Sequence, residues 1–340
     1  MRLAAVNSLL FAMDSFYGLK EYKNIELFKD YINADTMRLL WSDRAGENIQ
    51  GYQQLVYKQL DDAHTRLDTF PCYAEFADSL NLTGGIVGDA RAKRQNLYQT
   101  LSQQRAQLLG DAAPVRFCED VAIITLDSFE VGSRAELYDS DGNLKDTAWR
   151  YDSYYYMRHC MKQIGQHPEV RTVVLDLSLN GGGYIGAMHR VLGFLSDKVF
   201  KESQYNYLTG EFRVSSFKID TDGDGYYDDD AGDQYQWVVL TSEYTFSAAN
   251  LFVSMVKEQK LATVIGQRTG GGMCSVMPLV LADGTAITIR SPNSYRYVET
   301  DARGHRTFYA IEGGLSPNVE ISYSEYYTDA QLEKYLESIN

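Results

Sequence analysis

Cysteine, proline and histidine are scarce in this chain, with four, six and five copies among 340 residues. Cys72, Cys118, Cys160 and Cys274 show no C-x-x-C pair and no Cys/His metal spacing, which excludes a zinc ribbon or a thioredoxin-like redox pair. Their wide separation leaves disulfide pairing unreadable, and they read as buried free thiols. No run of ~18 apolar residues occurs, so no segment is expected to span a membrane. Basic residues are also few: 32 Lys and Arg stand against 46 Asp and Glu, a net charge of −14, and they form no stripe. Binding to a phosphate backbone is therefore excluded as the main task, and nucleic acid is not an expected partner. No internal repeat is visible.

What is present is ordinary globular composition, 44% hydrophobic and 23% charged, in a chain long enough for two domains or one large domain with an appendage. Tyrosine outnumbers phenylalanine, 26 to 14, which suits many half-buried ring positions with a wet hydroxyl. Met1 to Met13 begins like a signal peptide, but Asp14 cuts the apolar run short and no Ala-x-Ala follows, so the segment reads as an amphipathic helix. The protein is then either cytoplasmic or one whose leader has been removed.

Apolar residues at helical spacing, as in Leu9, Leu10, Met13, Phe16 and Tyr17 and again in Tyr52, Leu55, Val56 and Leu60, predict an N-terminal helical subdomain over residues 1–70. Residues 71–114 read as a connector whose second half, Asp89 to Leu109, is strongly helix-forming. From Val115 onward the apolar runs are short and rich in β-branched residues: Val121–Leu126, Thr172–Leu177 and Trp237–Thr241, each near-continuously apolar as in strands buried on both faces. Helical stretches Tyr151–Gln166, Gly186–Ser196 and Ala248–Glu258 alternate with them, which predicts an α/β core over 115–340. Ala286–Ile289 reads as a further strand and Thr328–Ile339 as a closing polar helix.

Two segments could carry chemistry. Val173 to Gly183 is a buried strand running into the Asn180-Gly181-Gly182-Gly183 turn, whose bare backbone N–H groups could receive an anionic oxygen; a plain tight turn reads equally well. Trp237 to Asn250 is a strand, a polar bend and a helix that opens in Ser247-Ala248-Ala249. A serine there has the helix dipole beside it, but it could equally be an N-cap.

Taken together, these segments resemble the carboxy-terminal processing, or tail-specific, serine protease family. Asp176 to Gly183 is similar to its D-L-R-x-N-x-G-G turn and Thr245 to Asn250 to its T-A-S-A-S/A-E motif. Gly266 to Gly272 is similar to G-x-x-T-x-G-K, and Glu312 to Ile321 to the G-I/V-x-P-D segment. The resemblance implies a crotonase- or ClpP-like spiral of ββα units with Ser247 as nucleophile. It implies an oxyanion hole from the N–H groups of Gly181 and Ala248. The family's processing branch uses a Ser–Lys dyad, yet Gly272 stands where its lysine belongs, and Lys257 and Lys260 precede the motif. A second branch, resembling the tricorn core, uses a histidine that precedes the core and a glutamate before the G-V-x-P-D segment. His64, in Asp61-Asp62-Ala63-His64-Thr65, and Glu312 fill those places. The resemblance thus assigns His64 as general base and Glu312 as the orienting or water-positioning group, with His189 the runner-up base and His159, His167 and His305 packing or surface residues. Ser178, Asn250 and Ala63 depart from the family's arginine, glutamate and serine. The stretch from Asp68 to Val115 is too short for the inserted PDZ domain of many relatives, so none is expected.

The remaining feature is an acidic hairpin at 218–233. Asp220, Asp222, Asp224 and Asp228 at positions 1, 3, 5 and 9, with Gly225 at 6 and Tyr226 at 7, reproduce the front of a calcium loop, though position 12 is Ala231 and Asp229, Asp230 or Asp233 would have to complete it. A solvated acidic tip is the alternative. The expectation is a serine peptidase acting on peptides or unfolded protein tails, without a catalytic cofactor but with a structural calcium ion. Its expected setting is periplasmic, extracellular or lipoprotein-anchored. The contrasting expectation is a catalytically silent protein of the same fold that holds a peptide, glycan or lipid.

Overall fold

The computed structural model describes residues 2–71, 81–110, 113–228, 231–329, 332 and 336. Cys72, Asp229, Asp230 and most of the closing helix expected over Thr328–Ile339 lie outside the described residues. The chain is mixed α/β with two sheets, and it divides into two compact units. One comprises residues 1–96, 204–212 and 274–294; the other comprises 97–203, 213–273 and 295–340.

The larger unit is built on a six-stranded sheet in the order Val319–Glu320, Thr263–Gly266, Gln236–Thr241, Thr172–Asp176, Val121–Thr125, Val115–Cys118. The first five run parallel to their neighbours and the last is antiparallel. The register sets Ile124, Leu175, Val239 and Val264 in one row across the sheet. Every residue of Thr172–Asp176 is buried, which is why this strand carries no polar alternation. One face packs Ile123, Val174, Val238, Leu240 and Ile265 against Leu101, Tyr326 and Tyr327.

The helices of this unit fall where periodicity places them, and one start is set by a side-chain cap. Ser153–Ile164 starts two residues later than the apolar pattern suggests, because the Asp152 carboxylate accepts the N–H groups of Tyr154 and Tyr155. It buries Met157, Cys160 and Ile164 on one face. Ile185–Gly193 buries Ala187, Met188, Val191 and Leu192. In Ala248–Gln259 the first nine residues are all buried, so the helix that starts at Ser247 is rooted in the core.

The smaller unit opens with the helices Arg2–Phe16, Phe28–Tyr31, Ala34–Leu40 and Ala45–Gln54. The last widens into a π-type turn over Leu55–Leu60 and stops at Asp61, whose backbone is left-handed at φ 41°. The chain then enters the short strand Arg66–Leu67, paired antiparallel with Ile287 and Thr288. The start of Ala286–Thr300, which takes this strand on one side, pairs on the other with Cys274–Val280 as a hairpin. That long strand gives residues 286–294 to this unit and 295–300 to the other. Among the described residues no disulfide joins Cys118, Cys160 and Cys274 to one another. No described helix is long and apolar enough to cross a membrane.

Candidate active site

Ser247 occupies the sharp turn between the strand Gln236–Thr241 and the helix Ala248–Gln259. Its backbone sits at φ 59°, ψ −122°, a conformation costly for a residue with a Cβ. Ser247 does not act as a side-chain cap: its hydroxyl makes no capping hydrogen bond. A strained strand-to-helix corner that lifts a serine hydroxyl clear of the backbone is the geometry of a nucleophile elbow.

Hydrogen bonds from both recognised segments hold this corner. The Thr245 hydroxyl donates to the Leu177 carbonyl at 2.8 Å and accepts the Ser242 N–H at 2.9 Å. The Phe246 N–H donates to the Asn180 carbonyl, and the Ser247 N–H to the Gly271 carbonyl at 2.9 Å. Asn180 in turn donates from Nδ2 to the Leu126 carbonyl and accepts the Gly182 N–H on Oδ1, both at 2.9 Å. The glycine turn consequently passes close over the serine. A Cβ on Gly182, whose φ is +110°, would lie 2.8 Å from the Ser247 Cβ. Among the described residues, no protein acceptor takes the N–H of Gly181 or of Ala248. The Tyr244 ring lies beside Gly181, its hydroxyl 3.2 Å from where a Cβ there would sit.

A side chain would be strained and crowded here at the position that carries lysine in the Ser–Lys branch. Gly272 has φ +91°, and a Cβ would approach the Ser247 nitrogen to 3.0 Å and the Phe246 ring to 2.9 Å. Lys257 and Lys260 are at the other end of the helix that starts after Ser247. Glu312 joins the same loop cluster, its Oε2 accepting the Met273 N–H at 2.9 Å, next to the Gly271–Gly272 turn. Asn250, which replaces the family's glutamate, is fully buried: Nδ2 donates to the Ile311 carbonyl at 2.9 Å and Oδ1 accepts the Thr269 hydroxyl at 2.6 Å. It ties the serine helix to the segment that carries Glu312. Ser178, in place of arginine, hydrogen-bonds the Tyr327 hydroxyl at 2.8 Å beneath the turn.

His64 lies in the smaller unit, on the loop after the π-type turn. Asp62 organises that loop: Oδ1 accepts the N–H groups of His64 and Thr65 at 3.0 and 2.8 Å and receives Arg290 Nε at 2.9 Å. Its other oxygen accepts the Tyr17 hydroxyl at 2.7 Å. Burial alone would raise the Asp62 carboxyl, but the Arg290 guanidinium and these hydrogen bonds hold it far below the usual carboxylate range. His64 is pushed the other way from charge. Burial first, then the Arg290 guanidinium with Arg94 and Arg66, outweigh the Asp62 attraction and lower the imidazole to about 3.

The ring is therefore neutral at neutral pH, free of a proton but, with its value held so low, a weak acceptor in this arrangement. Because the folded value lies below the ordinary imidazole value of 6.5, the unfolded chain binds the extra proton between those limits. This contribution to stability is complete above about pH 6.5 and is lost as pH falls towards 3. In His64→Gln, urea unfolding is expected to show a shallower stability loss between pH 6.5 and about 4; an unchanged slope would contradict the shift.

The other histidines are occupied. His189 Nε2 meets Glu202 Oε2 at 2.7 Å against the Phe217 ring. His159 stacks on Trp149 and His167 on Phe117, with centroids 4.3 and 3.9 Å apart, and His305 meets Asp301. In the acidic hairpin one oxygen each from Asp220, Asp222 and Asp224 converges within 4.8 Å; Tyr226 and Asp228 are outside this group. Sequence reasoning missed Arg290 and Tyr17, since nothing local pairs a strand arginine or an N-terminal tyrosine with Asp62.

Residues 120–321 match the sequence profile of peptidase family S41. The chain belongs to peptidase family S41. No protein of curated function matches it by sequence. Among solved structures, it is similar to a candidate peptidase from Parabacteroides merdae at 16% identity and TM-score 0.65, covering 99% of this chain and 96% of that one. It is also similar to the photosystem II D1 C-terminal processing protease at 16% identity and TM-score 0.52, covering 97% and 95%. A lipoprotein from Streptococcus agalactiae shares the fold at 14% identity and TM-score 0.54, covering 98% and 93%.

Proposed function

We propose that the chain is a serine peptidase of the Ser/His/Glu type that cleaves peptides or unfolded protein tails by acyl transfer. The observation that carries this reading is Ser247: a strained backbone, a hydroxyl not used as a cap, and the unclaimed N–H groups of Gly181 and Ala248 in the turns around it. Ser247 Oγ attacks the scissile carbonyl as His64 takes its proton, and the tetrahedral oxygen is held by the Gly181 and Ala248 N–H groups. His64 returns the proton to the leaving amine. Water then attacks the acyl-enzyme by the same route in reverse, with Glu312 orienting the base or the water. Reaction with a fluorophosphonate probe tests this. Stoichiometric labelling of the parent protein, lost in Ser247→Ala and strongly slowed in His64→Ala, is expected; labelling that survives Ser247→Ala sinks the assignment. No labelling at all would favour the silent, ligand-holding alternative.

Calcium at Asp220, Asp222 and Asp224 belongs to the same reading as a structural ion and suits an extracytoplasmic setting. A loop of this kind binds at ~10⁻⁴–10⁻³ M. Calcium at ~10 mM would then stabilise the fold by about 1.4–2.7 kcal/mol, and magnesium by much less. Thermal unfolding with either ion checks it, and no calcium-specific shift would remove the ion from the account.

A further inference from the structure

The larger unit holds a cavity of about 720 Å³ at the edge of its sheet opposite the serine turn. Gln236 opens the strand that leads to Ser247, and Thr263 opens the neighbouring strand, so the cavity meets these strands at their N-terminal ends. The helix Ala248–Gln259 has Ser247 at its start and Lys257 near its end. Twelve helical residues span about 18 Å, which separates this cavity from the proposed chemistry.

The lining chemistry is one-sided. Lys257 and Lys260 supply two ammonium groups, Tyr235 and Tyr297 two rings, and Gln236 and Asn318 two amides. No Asp or Glu is among the described residues of its wall, although the chain carries a net charge of −14. Neither lysine forms an ion pair among the described residues. An adjoining cavity of about 520 Å³ shares Lys257, Lys260 and Tyr297 and adds Lys201 and Arg306, but Glu258, Glu299 and Asp301 also line it, so its charge is mixed where that of the first is of one sign.

A lysine near a helix C-terminus is ordinarily explained by the helix dipole, and exposed Lys260 needs nothing more. Lys257 is different: it is half-buried, and burial by itself pulls its pKa down. A desolvated ammonium without a counter-charge is unfavourable, and an entering anion would relieve it.

We propose that this cavity is a second binding site, for a carboxylate seated between Lys257 and Lys260 with the apolar part of its carrier on the Tyr235 and Tyr297 rings. A peptide's C-terminal carboxylate and a small dicarboxylate share that chemistry. The volume lies within the ~300–1,000 Å³ usual for ligand sites.

Calorimetry with the Ser247→Ala protein, which would consume no peptide, separates the sources. The probes are acetyl-Tyr-Ala-Ala as the free acid, the same peptide as its amide, and succinate. The free acid is expected to bind and the amide to bind at least about tenfold more weakly, because each charge-assisted contact is worth roughly that factor. Lys257→Gln/Lys260→Gln should weaken the acid by about tenfold or more, while Lys257→Arg/Lys260→Arg should retain it, which separates lost charge from lost folding. Succinate binding that also disappears in the glutamine variant assigns the site to small dicarboxylates. No binding of any probe up to ~10 mM, or binding undiminished in a folded glutamine variant, overturns the proposal.

Discussion

Ser247→Gly is expected to abolish peptide hydrolysis while making the protein more stable than its parent. Loss of the nucleophile should lower turnover by roughly 10⁴–10⁶-fold, the range seen when a catalytic serine is removed. The gain in stability follows from the backbone. At φ 59°, ψ −122° a residue with a Cβ carries strain of about 1–3 kcal/mol, and glycine does not. Glycine gives back about 0.5–1 kcal/mol through the freedom of the unfolded chain, leaving a net gain of up to about 2.5 kcal/mol. Ser247→Ala keeps the strained Cβ and loses only a hydroxyl that caps nothing, so it should be equally inactive but within ~0.5 kcal/mol of the parent. Urea unfolding of the three proteins compares them directly. A glycine variant less stable than the alanine variant would mean that the corner is not strained.

That strain also shows how far the sequence could be read. The parallel strands were legible because burial on both faces demands unbroken apolar runs, as in Thr172–Asp176. Ser247 was legible only through its neighbours, since a serine before a helix looks like a cap until its backbone is seen. Gly272 told sequence reasoning that a lysine was missing; the structure adds that a side chain there would be strained and crowded. Asn250 was legible only as a departure from the family's glutamate, and its bonds to Ile311 and Thr269 appear only in the structure. The start of Ser153–Ile164 shifted because the Asp152 side chain takes the first N–H groups. Least legible were partners far apart in the chain. Asp62 and Arg290 are separated by 228 residues, and neither flanking sequence signals the other.

The Asp62–Arg290 pair supports the second large prediction. Both side chains are almost wholly buried, at 4% and 2% exposure, and the shared carboxylate also fixes the His64 and Thr65 backbone. Asp62→Ala removes a buried carboxylate that pairs with the Arg290 guanidinium and should cost about 3–5 kcal/mol. Replacing both partners, as Asp62→Leu/Arg290→Met, should recover most of that loss, because a buried ion pair and an apolar pair of similar volume are often near-equal in stability. Hydrolysis should not recover. The His64 loop would lack its two backbone anchors, and a displacement of ~1 Å at a proton acceptor costs about 10²-fold in rate. The imidazole would also lose the Arg290 charge that helps lower its pKa, so the acid limb of the pH–rate profile should move upward. Stability and rate thus part company in the double variant. If both return together, the pair serves the fold alone, and the placement of His64 depends on something other than Asp62.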